Sequence, residues 1–86
     1  MKKSWFEEAW ADYEYWQTED RKTLKKINNL LKDIERNGEL KGTGSPEALK
    51  GNLSGLFSRH IDKENRLVYR IENSILEIIS CKGHYE

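Results

Sequence analysis

"GLFSRHIDKENRLVYRIENSILEIISCK" (residues 55–82) holds three apolar runs separated by two short polar ones, and it decides the fold. In residues 56–61, Phe57, Arg59 and Ile61 alternate with Leu56, Ser58 and His60, which is the period of a β-strand. "DKEN" (62–65) is a polar turn. In "RLVYRIE" (66–72), Leu67, Tyr69 and Ile71 share one face while Arg66, Val68 and Arg70 take the other. "EN" before Ser74 marks a tight turn into "SILEIISCK" (74–82), whose Ile75, Leu76, Ile78 and Ile79 suit burial. Consecutive strands on short connections make an antiparallel meander.

Upstream the period lengthens. Phe6, Ala9, Trp10, Tyr13 and Trp16 recur at helical spacing between Phe6 and Gln17, and this aromatic stripe is expected to pack into the core. Thr18 is the expected cap of a second helix that opens with Glu19 and Asp20. That helix runs through Leu24, Ile27, Leu31 and Ile34 and stops at Asn37-Gly38. A short link between two amphipathic helices predicts an antiparallel hairpin. The fold class is therefore α+β, an N-terminal helical hairpin packed on a small, mainly antiparallel sheet. "KKSW" (2–5) is a weaker candidate for an added edge strand. "KGTGS" (41–45) is loop, and Ser45-Pro46 resembles an N-cap followed by a first helical position. "PEALK" (46–50) is thus expected as one helical turn ended by Gly51, with Glu47 and Lys50 on one face.

Eighty-six residues predict a single domain, 1–86. The composition, 36% hydrophobic and 35% charged, suits a folded globular chain rather than a disordered one. No apolar run approaches the ~18 residues of a bilayer span, and no signal-peptide pattern follows Met1, so a cytoplasmic protein without membrane contact is expected. The single cysteine, Cys81, stands in the apolar C-terminal segment and is expected as a small core residue. Net charge is zero, which argues against a generic nucleic-acid binder. Its distribution is uneven. Residues 1–20 set Lys2 and Lys3 against Glu7, Glu8, Asp12, Glu14, Glu19 and Asp20, a balance of −4. Residues 21–36 set Arg21, Lys22, Lys25, Lys26, Lys32 and Arg36 against Asp33 and Glu35, a balance of +4. A solvated helix face is the default reading of such a run, and a phosphate-binding surface the sharper one.

The residues suited to acid–base chemistry are His60, His84 and several carboxylates. Two histidines are too few for a dedicated metal site, no Cys/His spacing suits zinc, and no metal or cofactor is expected. "GTGSPEALKG" lacks the Gly-Lys-Ser/Thr ending of a Walker loop, and no serine carries a nucleophile signature. One histidine near a chain end is, by itself, more often incidental than catalytic.

"YEYW", "KKINNLLKDIERNG", "GSPEALKGNLSGLFSRHI", "NRLVYRI" and "SCKGHYE" together resemble the YoeB/Txe toxins of the RelE/ParE superfamily of bacterial toxin–antitoxin systems. The resemblance covers nearly the whole chain. It implies a small cytoplasmic endoribonuclease that cuts messenger RNA in the ribosomal A site without a metal. It also implies roles for particular residues: Glu47 as general base, Arg66 as the phosphate fork and His84 as general acid. Lys50, Arg59 and Tyr85 are the implied substrate contacts. The basic helix, through Lys22, Lys25, Lys26 and Lys32, is expected to meet ribosomal RNA phosphates, or else to be a solvated face. The implied partners are the ribosome, messenger RNA and a YefM/Axe-type antitoxin, with a homodimer as one option. A competing reading is a non-nucleolytic binder on the same scaffold, like the ParE branch that poisons gyrase. The chain departs from the family pattern at His60, where arginine is common, at Gly83, where tyrosine is common, and in extending to Glu86.

Overall fold

The computed structural model describes residues 1–84. Strand β1 (Lys2–Trp5) leads into helices α1 (Glu7–Glu19) and α2 (Arg21–Asn37). Strand β2 (Glu47–Ala48), a 3₁₀ turn (Gly51–Leu53), and strands β3 (Phe57–His60), β4 (Arg66–Glu72) and β5 (Ile75–Ser80) follow. The sheet runs β1-β5-β4-β3-β2, with β1 parallel to β5 and the other pairs antiparallel. The class is α+β, and the parallel edge makes the sheet mixed. No helix among the described residues is long and apolar enough to cross a membrane.

The helices cover one face of the sheet. Ile27, Leu30, Leu31 and Ile34 of α2 and Ala9 and Trp16 of α1 pack on Leu67, Tyr69, Leu76 and Ile78. Each such aliphatic side chain, fully buried, contributes about 1.5–3 kcal/mol. Cys81 belongs to the same core, and burial pushes its thiol up to about 12. A single residue, Asp20, separates the helices and caps the second. Its carboxylate accepts from the Lys22 and Thr23 N–H groups and from the Thr23 hydroxyl, which holds the carboxyl below the usual carboxylate range. Thr18 is not the cap: α1 continues past it, and its hydroxyl donates back to Tyr15 O.

The aromatic stripe of α1 divides. Ala9, Tyr13 and Trp16 lie on the inward line, whereas Trp10 stands ~100° round the helix from Ala9 and is 45% exposed. Trp10 instead stacks on Tyr13 and meets the edge of Trp5, an aromatic cluster at the surface. Phe6 precedes the helix and is also exposed, while its N–H extends the β1–β5 pairing to Ile78 O. "PEALK" is not a helical turn. Glu47 and Ala48 pair with Ser58 and Phe57, and the Leu49 N–H continues the ladder to Leu56 O. Partners on β3, distant in sequence, outweigh the local helix signal there.

Between α2 and β2 lie nine residues without helix or strand, ordered by one side chain. Arg59 is fully buried, and its five N–H bonds all end on protein. They reach the Tyr69 hydroxyl, the Asp33 carboxylate, and the carbonyls of Thr43, Gly38 and Lys41. Asp33 in turn accepts from Thr43 N, and this N–H, with Arg59 beside it, holds the carboxyl below the usual range. Gly42 is required where the loop crosses Asp33, because a Cβ there would lie 1.8 Å from the carboxylate. The expected substrate role of Arg59 is thereby corrected: no donor remains for a phosphate.

The β4–β5 hairpin turns on Asn73 and Ser74, both at positive φ (54° and 62°), a backbone that favours Asn-Gly. Ser74→Gly is expected to relieve the second residue and raise stability by about 0.5–1 kcal/mol, some 4 °C in Tm. An unchanged or lower Tm would contradict this account. Arg59→Leu is expected to lose about 3–5 kcal/mol in urea unfolding and to accelerate amide exchange in residues 38–46. A loss below about 1 kcal/mol would mean that the loop is held by something else.

Candidate active site

Strand register places the candidates. Glu47 stands opposite Ser58, Ser58 opposite Val68, and Val68 opposite Ser80, one row across four strands. His60 and Arg66 oppose each other two residues along, so they share the face of that row. This face points away from the helices, because the intervening Arg59, Leu67 and Tyr69 point into the core and toward Asp33 of α2. Two strand spacings and a two-residue offset put the Glu47 and Arg66 backbones ~12 Å apart. Their side chains could close on a group of phosphodiester size between them.

Arg66 is only 9% exposed. Its Nη1 donates to Asp62 O at 2.8 Å and to Lys63 O and Asn65 O at 3.2 Å, capping the turn between β3 and β4. The turn itself is built by Asp62, whose carboxylate accepts the N–H groups of Glu64 and Asn65. Burial works to raise the pKa of Asp62, but these N–H bonds, the Asn65 amide and the Lys26 charge together hold it low. Lys26 of α2 therefore lies near this end of the sheet.

His84 reaches the same place by the backbone. The chain turns at Gly83, at φ +84°, and Gly83 O accepts from Arg66 N at 3.0 Å. Gly83 N donates to Asn65 Oδ1 at 2.8 Å. The exposed His84 is the next residue. The structure thus puts Glu47 and Arg66 on one face of the sheet and brings the backbone of His84 to the same end. Tyr85 and Glu86 lie outside the described residues. Lys50 is exposed at the start of the 3₁₀ turn, on extended backbone, so it does not share a helical face with Glu47.

His60, noted in the sequence for its imidazole and as a departure from the family pattern but given no role, lies on the same face as Arg66. Alternation along β3 already separated it from Arg59, and the register with Arg66 identifies which of the two faces the site. His60 also lines a groove of about 310 Å³ with Lys26, Asn29 and Thr43, which joins α2 to this end of the sheet. Lys22, Lys25, Lys26 and Lys32 are all exposed, within an arc of ~120° on α2, and Arg36 extends the same arc. Among the described residues no group of three or more His, Cys, Asp and Glu side chains is arranged to hold a metal ion.

Residues 5–85 match the family model described as "YoeB-like toxin of bacterial type II toxin-antitoxin system". The chain is 51% identical to Toxin YoeB of Escherichia coli over 85 residues, covering 99% of this chain and 100% of that one. Its structure superposes on the toxin of a heterotetrameric YoeB-YefM complex from Staphylococcus aureus with a TM-score of 0.93, at 49% identity over 99% and 98% of the two chains. A YoeB dimer from the same organism gives the same TM-score, identity and coverage. Sequence and fold agree: the chain belongs to the YoeB-like toxins of bacterial type II toxin–antitoxin systems.

Proposed function

We propose that this toxin is a ribosome-dependent endoribonuclease that cuts messenger RNA in the A site. The observation that carries the reading is the common face of Glu47 and Arg66, with the backbone before His84 bonded to Arg66. Three tasks must be met in such a cleavage. Glu47 takes the proton of the 2′-hydroxyl, and that oxygen attacks phosphorus. Arg66 neutralises the non-bridging oxygens as charge develops on them, with Lys50 as a second cation. His84 protonates the 5′-oxygen as the P–O5′ bond breaks, leaving a 2′,3′-cyclic phosphate and a 5′-hydroxyl. Tyr85 is assigned to the adjoining base or phosphate.

The exposed lysine arc of α2 supplies a docking surface for ribosomal RNA phosphates, adjoining the site through Lys26. The ribosome would supply in-line geometry of the message, a contribution that positioning alone can make large. A YefM-type antitoxin and a second copy of the chain are the partners suggested by the Staphylococcus aureus assemblies. Such a protein acts in the cytoplasm.

Primer extension on a defined message with ribosomes tests this reading. Glu47→Gln and His84→Gln are each expected to lower single-turnover cleavage by at least about tenfold. Arg66→Ala should do the same but also loosen the 62–65 turn, so Arg66→Lys, which keeps a cation without the fork, is the informative companion. Wild-type rates in Glu47→Gln and His84→Gln would remove the assignment. Absence of cleavage by the wild-type protein would favour a ParE-like binder.

Free message should be cut far more slowly than ribosome-bound message, and a single deoxy nucleotide at the scissile position should block the reaction. Equal turnover on free and bound message, or cleavage of the deoxy substrate, would contradict the mechanism.

A further inference from the structure

Cys81 and Gly83 carry the chain from β5 to His84, and every backbone polar group of both residues is engaged. Cys81 N donates to Asp12 Oδ2 at 2.9 Å, and Cys81 O accepts from Trp16 Nε1 at 2.9 Å. Gly83 N donates to Asn65 Oδ1, and Gly83 O accepts from Arg66 N. Between them the Lys82 ammonium sits 4.6 Å from the centre of the Tyr15 ring. Three separate elements, α1, the 62–65 turn and β4, thus grip three consecutive residues.

The grip of Asn65 has a fixed sense. Its Nδ2 donates to both carboxylate oxygens of Asp62, at 3.1 and 3.2 Å, which leaves Oδ1 as the end that accepts from Gly83. Gly83, at positive φ and without a Cβ, would otherwise be the loosest joint in the segment. A general acid has to stand within ~2.6–3.2 Å of the atom it protonates, and a misplacement of about 1 Å can cost ~10²-fold in rate. Lys82, Gly83 and His84 lie past the last strand and are exposed, outside the apolar core.

We infer that Asp12, Trp16 and Asn65 are positioning residues for cleavage: they hold Cys81 and Gly83 so that His84 meets the leaving 5′-oxygen. This rests on the proposed role of His84 as the acid. It gives α1 a task in the reaction beyond covering the sheet.

The test uses the full-length toxin with ribosomes and two messages, one ordinary and one with sulfur replacing the 5′-oxygen at the scissile linkage. With sulfur the P–S bond breaks and the electron pair stays on a thiolate, which needs no proton, so a misplaced acid no longer matters. Asp12→Ala and Asn65→Ala are expected to cut the ordinary message about tenfold more slowly and the sulfur message within about twofold of wild type. Trp16→Phe, which keeps a ring but loses the Nε1–H, should show the same pattern. Asp12→Asn, which keeps an acceptor for Cys81 N, should recover most of the rate lost in Asp12→Ala. Equal slowing on both messages would mark general structural damage and overturn the inference, as would unaltered rates on the ordinary message. His84→Gln separates the two levels. If it is not restored by sulfur, the acid role itself fails and the inference with it. If it is restored while Asp12→Ala and Asn65→Ala are not, only the positioning role fails.

Discussion

A guanidinium sealed in the protein interior has to have all its donors met, and in this toxin that requirement shapes a quarter of the molecule. Arg59 is fully buried and binds α2 through Asp33, β4 through Tyr69, and the long connection through three carbonyls. The Tyr69 hydroxyl passes the linkage on to Glu39 O, and the Glu39 carboxylate accepts from Ile71 N. Burying such a cation is costly unless its surroundings are complete, so the loop, the helix and the strand have little freedom to shift separately. The connection ends at Glu47, which pairs with Ser58, the residue beside Arg59. The charge inside the fold therefore fixes where the carboxylate outside it stands.

On the opposite face the same strands present the row of Glu47, Ser58, Val68 and Ser80. Alternation sends two neighbouring β3 side chains opposite ways: Arg59 points to the helices and His60 to the solvent side beside Arg66. Arg66 has both a structural and a proposed chemical part, since one nitrogen caps the turn that also holds Gly83. The site is thus assembled from a strand edge, a turn and a tail, each tied to the sheet by its backbone.

The local patterns were legible where one periodicity dominated. The α2 stripe of Leu24, Ile27, Leu31 and Ile34, the alternation in β4, and the β4–β5 turn could be read directly because burial and local geometry demand the same residues. The errors came where distant partners decide. "PEALK" carries a helix start, yet its fate rests on a ladder with β3 that no local signal announces. Trp10 looks like a core residue until Trp5, arriving from the edge strand, offers it a place at the surface. The resemblance implies a substrate contact at Arg59, whereas the carbonyls of a loop some twenty residues earlier make its burial tolerable. Glu47, Arg66 and His84 were picked out by family resemblance. That Glu47 and Arg66 share a face is a property of the register, which composition and spacing do not encode.

The edge strand has a consequence for how the molecule comes into being. Among the described residues the strand at 2–5 pairs only with residues 75–78, so it must wait for a partner some seventy residues later. Until then its pairing edge and the Trp5 ring have no sheet to join. Contacts of such sequence separation are slow to form, and this one cannot begin before residues 75–78 are made. The sheet therefore stays open along this edge until residues 75–78 have left the ribosome.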